Sequence, residues 1–108
     1  MDSRQPETAF SALTPLDFSV SVSRDRWNLI TSLKHPAMSG REAEVQAVLQ
    51  GPDEVRRSRR DESVLLFYKL ERPGRWLCAV VRRAVQNGFL ITAYPTDAVK
   101  EGERIWVK

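Results

Sequence analysis

The sequence predicts an α+β fold, with an N-terminal strand and two helices packed on a four-stranded antiparallel β-meander. Three observations lead there. Apolar residues recur at helical spacing only between about residues 23 and 50. From about residue 53 onward they fall in short alternating, β-branched or aromatic blocks. Those blocks are divided by "ERPG" at 71–74 and "QNG" at 86–88, turn sequences that join antiparallel neighbours. Helices and strands segregated along a chain mean α+β, and the apolar stripes of the helices must cover one sheet face.

The elements follow in order. Residues 1–15 are polar, carry Pro6 and show no period, and read as a flexible tail; residues 16–108 read as a single domain. "LDFSVSV" alternates, with Leu16, Phe18, Val20 and Val22 on one side of a half-buried strand. Ser23 is a fitting N-cap for a first helix with Asp25 in its first turn. Trp27, Ile30 and Leu33 form its apolar stripe, and Pro36 ends it at about Lys34 by forcing His35 out of helical geometry. "SGRE" reads as a capping box, Ser39 with Glu42, for a second helix that buries Val45, Val48 and Leu49. Gly51 and Pro52 stop it.

Strands follow at "DEVRRS", "SVLLFYKL", "WLCAVVRR" and "FLITAY". The last residues, "PTDAVKEGERIWVK", read as leaving the sheet, with a turn at Gly102 and with Ile105 and Trp106 packing back on the body.

Composition narrows the function. A chain of 108 residues holds one modest core and no separate cofactor domain. No apolar run approaches the ~20 residues that span a bilayer, so no membrane partner is expected. The opening residues lack the apolar centre of a secretory signal. The only cysteine, Cys78, lies in an apolar run and reads as a small buried hydrophobe, which fits a reducing cytoplasm. Net charge is +3, and the arginines gather in the second half, with Arg56, Arg57, Arg59 and Arg60 within five positions. A polyanion such as RNA is the natural partner, against a solvated hairpin edge kept apart by charge.

Several chemistries have no source in the sequence. There is no glycine-rich phosphate loop, no nucleophile elbow, and no set of His and Cys for zinc. No cofactor and no metal are expected. What remains is His35, the arginines, Thr92, Tyr94 and Tyr68. Metal-free RNA cleavage needs such a set: a group near neutral pKa to move a proton, cations to hold the phosphate, and hydroxyls to position it. His35 lies between two helices, beside amides around Ser39–Arg41 that could seat an anion with Arg41. The alternative for His35 is a solvated corner residue. Alternation places Thr92 and Tyr94 on one face with Leu90, and Phe89, Ile91 and Ala93 on the other. The alternative for both is plain β-propensity. Trp27, Trp76 and Trp106 read as packing anchors.

The succession "RWNLITSLKHPAMSGREAEVQAVLQGPDEVRRS", "VLLFYKL", "WLCAVVRR" and "GFLITAYPTDAVKEGERIW" resembles a family of small phage and bacterial proteins. They are grouped with the barnase–EndoU–colicin–RelE (BECR) superfamily of metal-independent ribonucleases. The resemblance covers residues 17–106, through a histidine-proline after the first helix, "PDEV", a tyrosine-basic pair and "ITAY". It implies helices packed on a four-stranded antiparallel sheet with a cleft between them. It also implies an endoribonuclease, in many relatives a toxin, that attacks through the 2′-hydroxyl and leaves a 2′,3′-cyclic phosphate. His35 would be its general acid/base, Arg57 or a neighbour its phosphate ligand, and Thr92 its strand hydroxyl. Arg41, Arg56, Arg59, Tyr68, Lys69 and Tyr94 would bind substrate. Its partners would be RNA, tRNA included, and a small antitoxin or immunity protein, with the chain a monomer or homodimer. The other reading is a non-catalytic module of the same fold that binds RNA or protein through its basic edge.

Overall fold

The computed structural model describes residues 7–108. Strands β1 (Thr8–Leu13) and β2 (Ser19–Ser23) form an antiparallel hairpin. Helix α1 (Arg24–Leu29) runs on into a π turn at Ile30–Lys34 and a 3₁₀ turn at Pro36–Met38. Helix α2 (Glu42–Gln50) follows. The chain then gives β3 (Glu54–Arg57), β4 (Val64–Arg72), β5 (Arg75–Arg83), β6 (Asn87–Thr96) and β7 (Glu103–Val107).

The architecture is α+β, but the sheet is larger than the four strands expected. Seven strands join in the order β1-β2-β6-β5-β4-β3-β7. The sheet is mixed, because β2 meets β6 in a short parallel pair, Ser19 with Asn87 and Val20 with Gly88, while the other neighbours are antiparallel. Three segments account for the difference: β2, expected as a strand packed on the meander, instead joins it beside β6, and two further strands form where none was expected. Thr8–Leu13, expected in a flexible tail, is an edge strand whose Phe10 and Ala12 are buried; the rest of that expectation includes residues 1–6, which lie outside the described residues. Glu103–Val107, expected to leave the sheet, pairs with β3 and closes the opposite edge. Both strands are short, and neither "TAFSAL" nor "ERIWV" alternates cleanly between apolar and polar residues, so neither announces itself as a strand.

The main core lies between the helices and one sheet face. Trp27, Ile30, Met38, Val45, Val48 and Leu49 meet Val20, Val22, Val55, Phe67, Ala79, Val81 and Leu90 there. Ser23 caps α1, its hydroxyl accepting from the Arg26 amide at 3.0 Å. The capping box at α2 does not form. Arg41 is the N-cap with no side-chain hydrogen bond, and Glu42 instead accepts from Arg24 Nη1 at 2.9 Å. The π turn also alters the first stripe. His35 N donates to Ile30 O at 2.7 Å, and the added residue turns Leu33 outward to 74% exposure.

The opposite sheet face, far from the helices, carries a smaller cluster of Leu66, Tyr68 and Cys78 with Trp76, Val80, Tyr94 and Val99 against it. Residues 97–102 link β6 to β7, four places away in the sheet, and Val99 packs on this cluster as they cross.

Candidate functional site

The far face owes its content to register. Tyr68, Cys78 and Tyr94 are direct cross-strand partners on β4, β5 and β6. Leu66, Val80 and Thr92 make the neighbouring row. A bulge shapes the β6 end of both rows: Val80 pairs with Thr92 but Val81 with Leu90, which leaves Ile91 as the extra residue. Thr92 and Tyr94 therefore share the far face. Leu90 does not lie with them as expected, but is buried in the helix-side core with Ala93.

Beyond its short pairing with β2, the edge of β6 is covered by the π and 3₁₀ turns. His35 sits between those turns, and its ring centroid lies 5.3 Å from that of Tyr94 at a tilt of 39°. The preceding Lys34 donates from Nζ to the Ile91 carbonyl at 3.3 Å. The π turn thus delivers a Lys-His pair to the bulged segment of β6, next to Thr92. π turns recur at functional sites because one added residue re-aims the side chains after it.

Burial fixes the protonation of this face. Desolvation pushes the Tyr68 and Tyr94 phenols well above their ordinary range, with the Cys78 thiol adding to the effect. Burial pushes Cys78 itself up to about 12, against the hydrogen-bonding pull of the two phenols. All three stay neutral at physiological pH and act as proton holders rather than bases. Tyr68 is buried, so it supports the face from below and does not line an open surface. The Thr92 hydroxyl is enclosed without a hydrogen-bond partner among the described residues, a costly state for a buried polar atom.

The arginines separate from one another. Arg57 shares the helix-side face with Val55 and Leu65 and pairs with Glu103 at 2.7 Å. It lies on β3, three places from β6 in the sheet, and on the other face, so His35, Arg57 and Thr92 do not form the expected trio. Arg41 gives its donors to Glu44 at 2.6 and 3.0 Å and to Glu71 at 2.9 Å, and those carboxylates raise its pKa further. It is a structural link, not a free phosphate ligand. Lys69 donates to Gly51 O at 3.0 Å, on the side of the helices. Arg56 does reach the far face, opposite Leu66, but its Nε meets Glu54 at 2.5 Å and its Nη1 the Gly102 carbonyl at 3.3 Å. Arg59 and Arg60 lie past the end of β3 at Arg57, and both line one cleft with Lys100.

Sequence reasoning grouped His35, Thr92, Tyr94 and Tyr68; the structure brings His35 to Tyr94, while Tyr68 lies two strands away on β4. That reasoning missed Lys34, Lys100 and the setting of Cys78. For Lys34 a signal existed in its position before His35; Lys100 and Cys78 depend on the crossover and the register. Among the described residues no three His, Cys, Asp or Glu side chains converge to hold a metal ion, and no helix is long and apolar enough to cross a membrane. No family model, curated protein or solved structure matches the chain.

Proposed function

We propose that this chain is an endoribonuclease that cleaves RNA through its own 2′-hydroxyl, with His35 as the proton-transfer group. The observation that carries the reading is the docking of Lys34 and His35 on the bulged strand beside Thr92 and Tyr94. His35 takes the 2′-hydroxyl proton as the 2′-oxygen–phosphorus bond forms. The bond from phosphorus to the 5′-oxygen breaks, and water protonates that oxygen. Lys34 Nζ has donors to spare beyond Ile91 and faces the charge that builds on the phosphoryl oxygens. Tyr94 holds the imidazole by its ring, and Thr92 offers a hydroxyl that gains a partner once its neighbours shift to admit substrate. The sequence resemblance to BECR-type ribonucleases points to the same chemistry. A nuclease of this kind acting in its own cell needs restraint, and a small acidic antitoxin or immunity protein suits a chain of charge +3.

A second reading, RNA binding without cleavage, is favoured by the single histidine: Tyr68, Cys78 and Tyr94 hold their protons too tightly to share the work. Incubation with labelled total RNA in excess chelator separates the two. Cleavage should give discrete fragments ending in cyclic phosphate. His35→Ala should slow it by ~10² or more, the usual worth of a general acid or base. Lys34→Ala should cost about 10², the loss seen for one charge-stabilising donor. Wild-type rates in His35→Ala would end the cleavage reading, and intact RNA that still binds would establish the second.

A further inference from the structure

We infer that the cleft between the β3–β4 loop and the 97–102 crossover is a second phosphate-binding subsite, which makes the substrate a single strand of RNA several nucleotides long. The inference rests on the proposed function and specifies its substrate. The cleft holds about 440 Å³, with Leu66 as its apolar floor and Arg59, Arg60 and Lys100 in its walls. Among the described residues none of these three cations makes an ion pair or a side-chain hydrogen bond, whereas Arg24, Arg41, Arg57 and Arg82 each meet a carboxylate. Among the cleft's lining residues three cations stand against one carboxylate, Glu101, which leaves a net positive charge in a concave space even with Arg59 partly offset by Glu103. Such a charge attracts an anion.

The walls are built rather than incidental. Gly102 has φ +85, and a Cβ there would come 2.6 Å from the Arg57 carbonyl, so the crossover presses directly on β3. Arg56 pins the same glycine by its carbonyl. On the other wall, the Ser58 hydroxyl accepts from the Arg60 amide at 3.2 Å and sets the turn that presents Arg59 and Arg60. The role of Arg56 is to position the wall, not to hold phosphate.

The floor of the cleft leads to the proposed site. Leu66, Val80 and Thr92 stand in one cross-strand row. Two strand spacings put Leu66 roughly 10 Å from Thr92. A stacked strand rising about 3.4 Å per nucleotide covers that distance in about three nucleotides. Phosphate in the cleft and the scissile phosphate near His35 therefore belong to one strand crossing β4, β5 and β6. A short substrate reaches only one of the two places.

The test uses single-stranded deoxyoligonucleotides, which lack the 2′-hydroxyl and survive, read by fluorescence anisotropy across salt concentrations. The triple variant Arg59→Ala/Arg60→Ala/Lys100→Ala should bind a 10-mer at least tenfold more weakly. Its log–log salt slope should be shallower by about 2, three phosphate contacts at ~0.7 each. Glu101→Gln should tighten the 10-mer. An unchanged 10-mer affinity and slope in the triple variant would overturn the subsite. A 10-base-pair duplex bound more tightly than the single strand would overturn the assignment of a single-stranded substrate. Loss of 10-mer binding in the triple variant, in a protein that cleaves no RNA, would support the subsite while the cleavage reading fails.

Discussion

Cys78 shows how a residue's neighbours decide its chemistry. It sits in the middle of β5, with Tyr68 opposite on one side and Tyr94 on the other, and it is 1% exposed. Thiolate is the reactive form, and burial that drives the thiol up to about 12 suppresses it. Native protein at pH 8 should react with a thiol reagent such as DTNB at least ~10²-fold more slowly than the chain in denaturant, since three pKa units cost up to three decades of thiolate. Equal rates in the two states would show that the far face opens freely. The burial of Cys78 was legible in "RWLCAVV". Its two phenol neighbours were not, because they depend on a register linking residues 68, 78 and 94, which no local pattern encodes. The same limit applies to the arginines. Their crowding at 56–60 was plain, but β3 stops at Arg57, and only the fold divides pinned Arg56 and paired Arg57 from Arg59 and Arg60, which have no ion-pair partner among the described residues.

Two irregular elements build the proposed site, and both defeat periodicity. The helical stripe from Trp27 would have continued through Leu33, but the π turn adds a residue, exposes Leu33 and aims Lys34 and His35 at β6. The β6 alternation would have joined Leu90 to Thr92, but the bulge at Ile91 sends Leu90 into the helix-side core. A one-residue insertion reverses every later side chain in a strand, so a single unseen bulge changes the reading of a whole face. The hairpin before it was expected to turn at "QNG", but the turn falls at 84–86 and Asn87 and Gly88 already open β6, where packing gives the reason for the glycine. A Cβ on Gly88 would meet the Phe18 ring at 2.8 Å and a Val81 methyl at 2.9 Å. Phe18 and Val81 are core residues at the junction of β2, β5 and β6, with little room to withdraw. Gly88→Ala should therefore destabilise by about 1–3 kcal/mol through overpacking, seen as a lower denaturation midpoint at constant slope. A neutral or stabilising effect would mean that the β2–β6 junction is looser than described.

At the scale of the molecule, pH should act from opposite ends on the surface ion pairs and on the enclosed row of the far face. On the acid side, stability depends on carboxylates whose pKa values are lowered on folding. A hydrogen bond from Arg24 lowers Glu42, which ties α1 to α2; one from Arg41 lowers Glu44; Ser63 lowers Asp61; and Arg57 lowers Glu103, which ties β3 to β7. A lowered carboxylate contributes stability above its unfolded pKa, and that contribution is lost as pH falls through the lower folded value. On the alkaline side, Cys78, Tyr68 and Tyr94 are raised on folding. The folded state holds their protons longer than the unfolded state does. Stability from these groups is full below the unfolded pKa values of about 8.5–10 and falls as pH climbs toward the folded ones. Denaturant midpoints measured from pH 2 to 11 should therefore form a plateau between about pH 5 and 8, with a decline on each side. The two limbs should also separate by variant. Arg24→Gln should shrink the acid limb and leave the alkaline one intact, because it frees Glu42 without touching the far face. Tyr68→Phe should reduce the alkaline limb and leave the acid one. Rising stability above pH 9 would contradict the neutral, enclosed state of the Tyr68–Cys78–Tyr94 row. That row lies under the face on which RNA is proposed to bind, so its protonation would then set the pH range in which the face is intact.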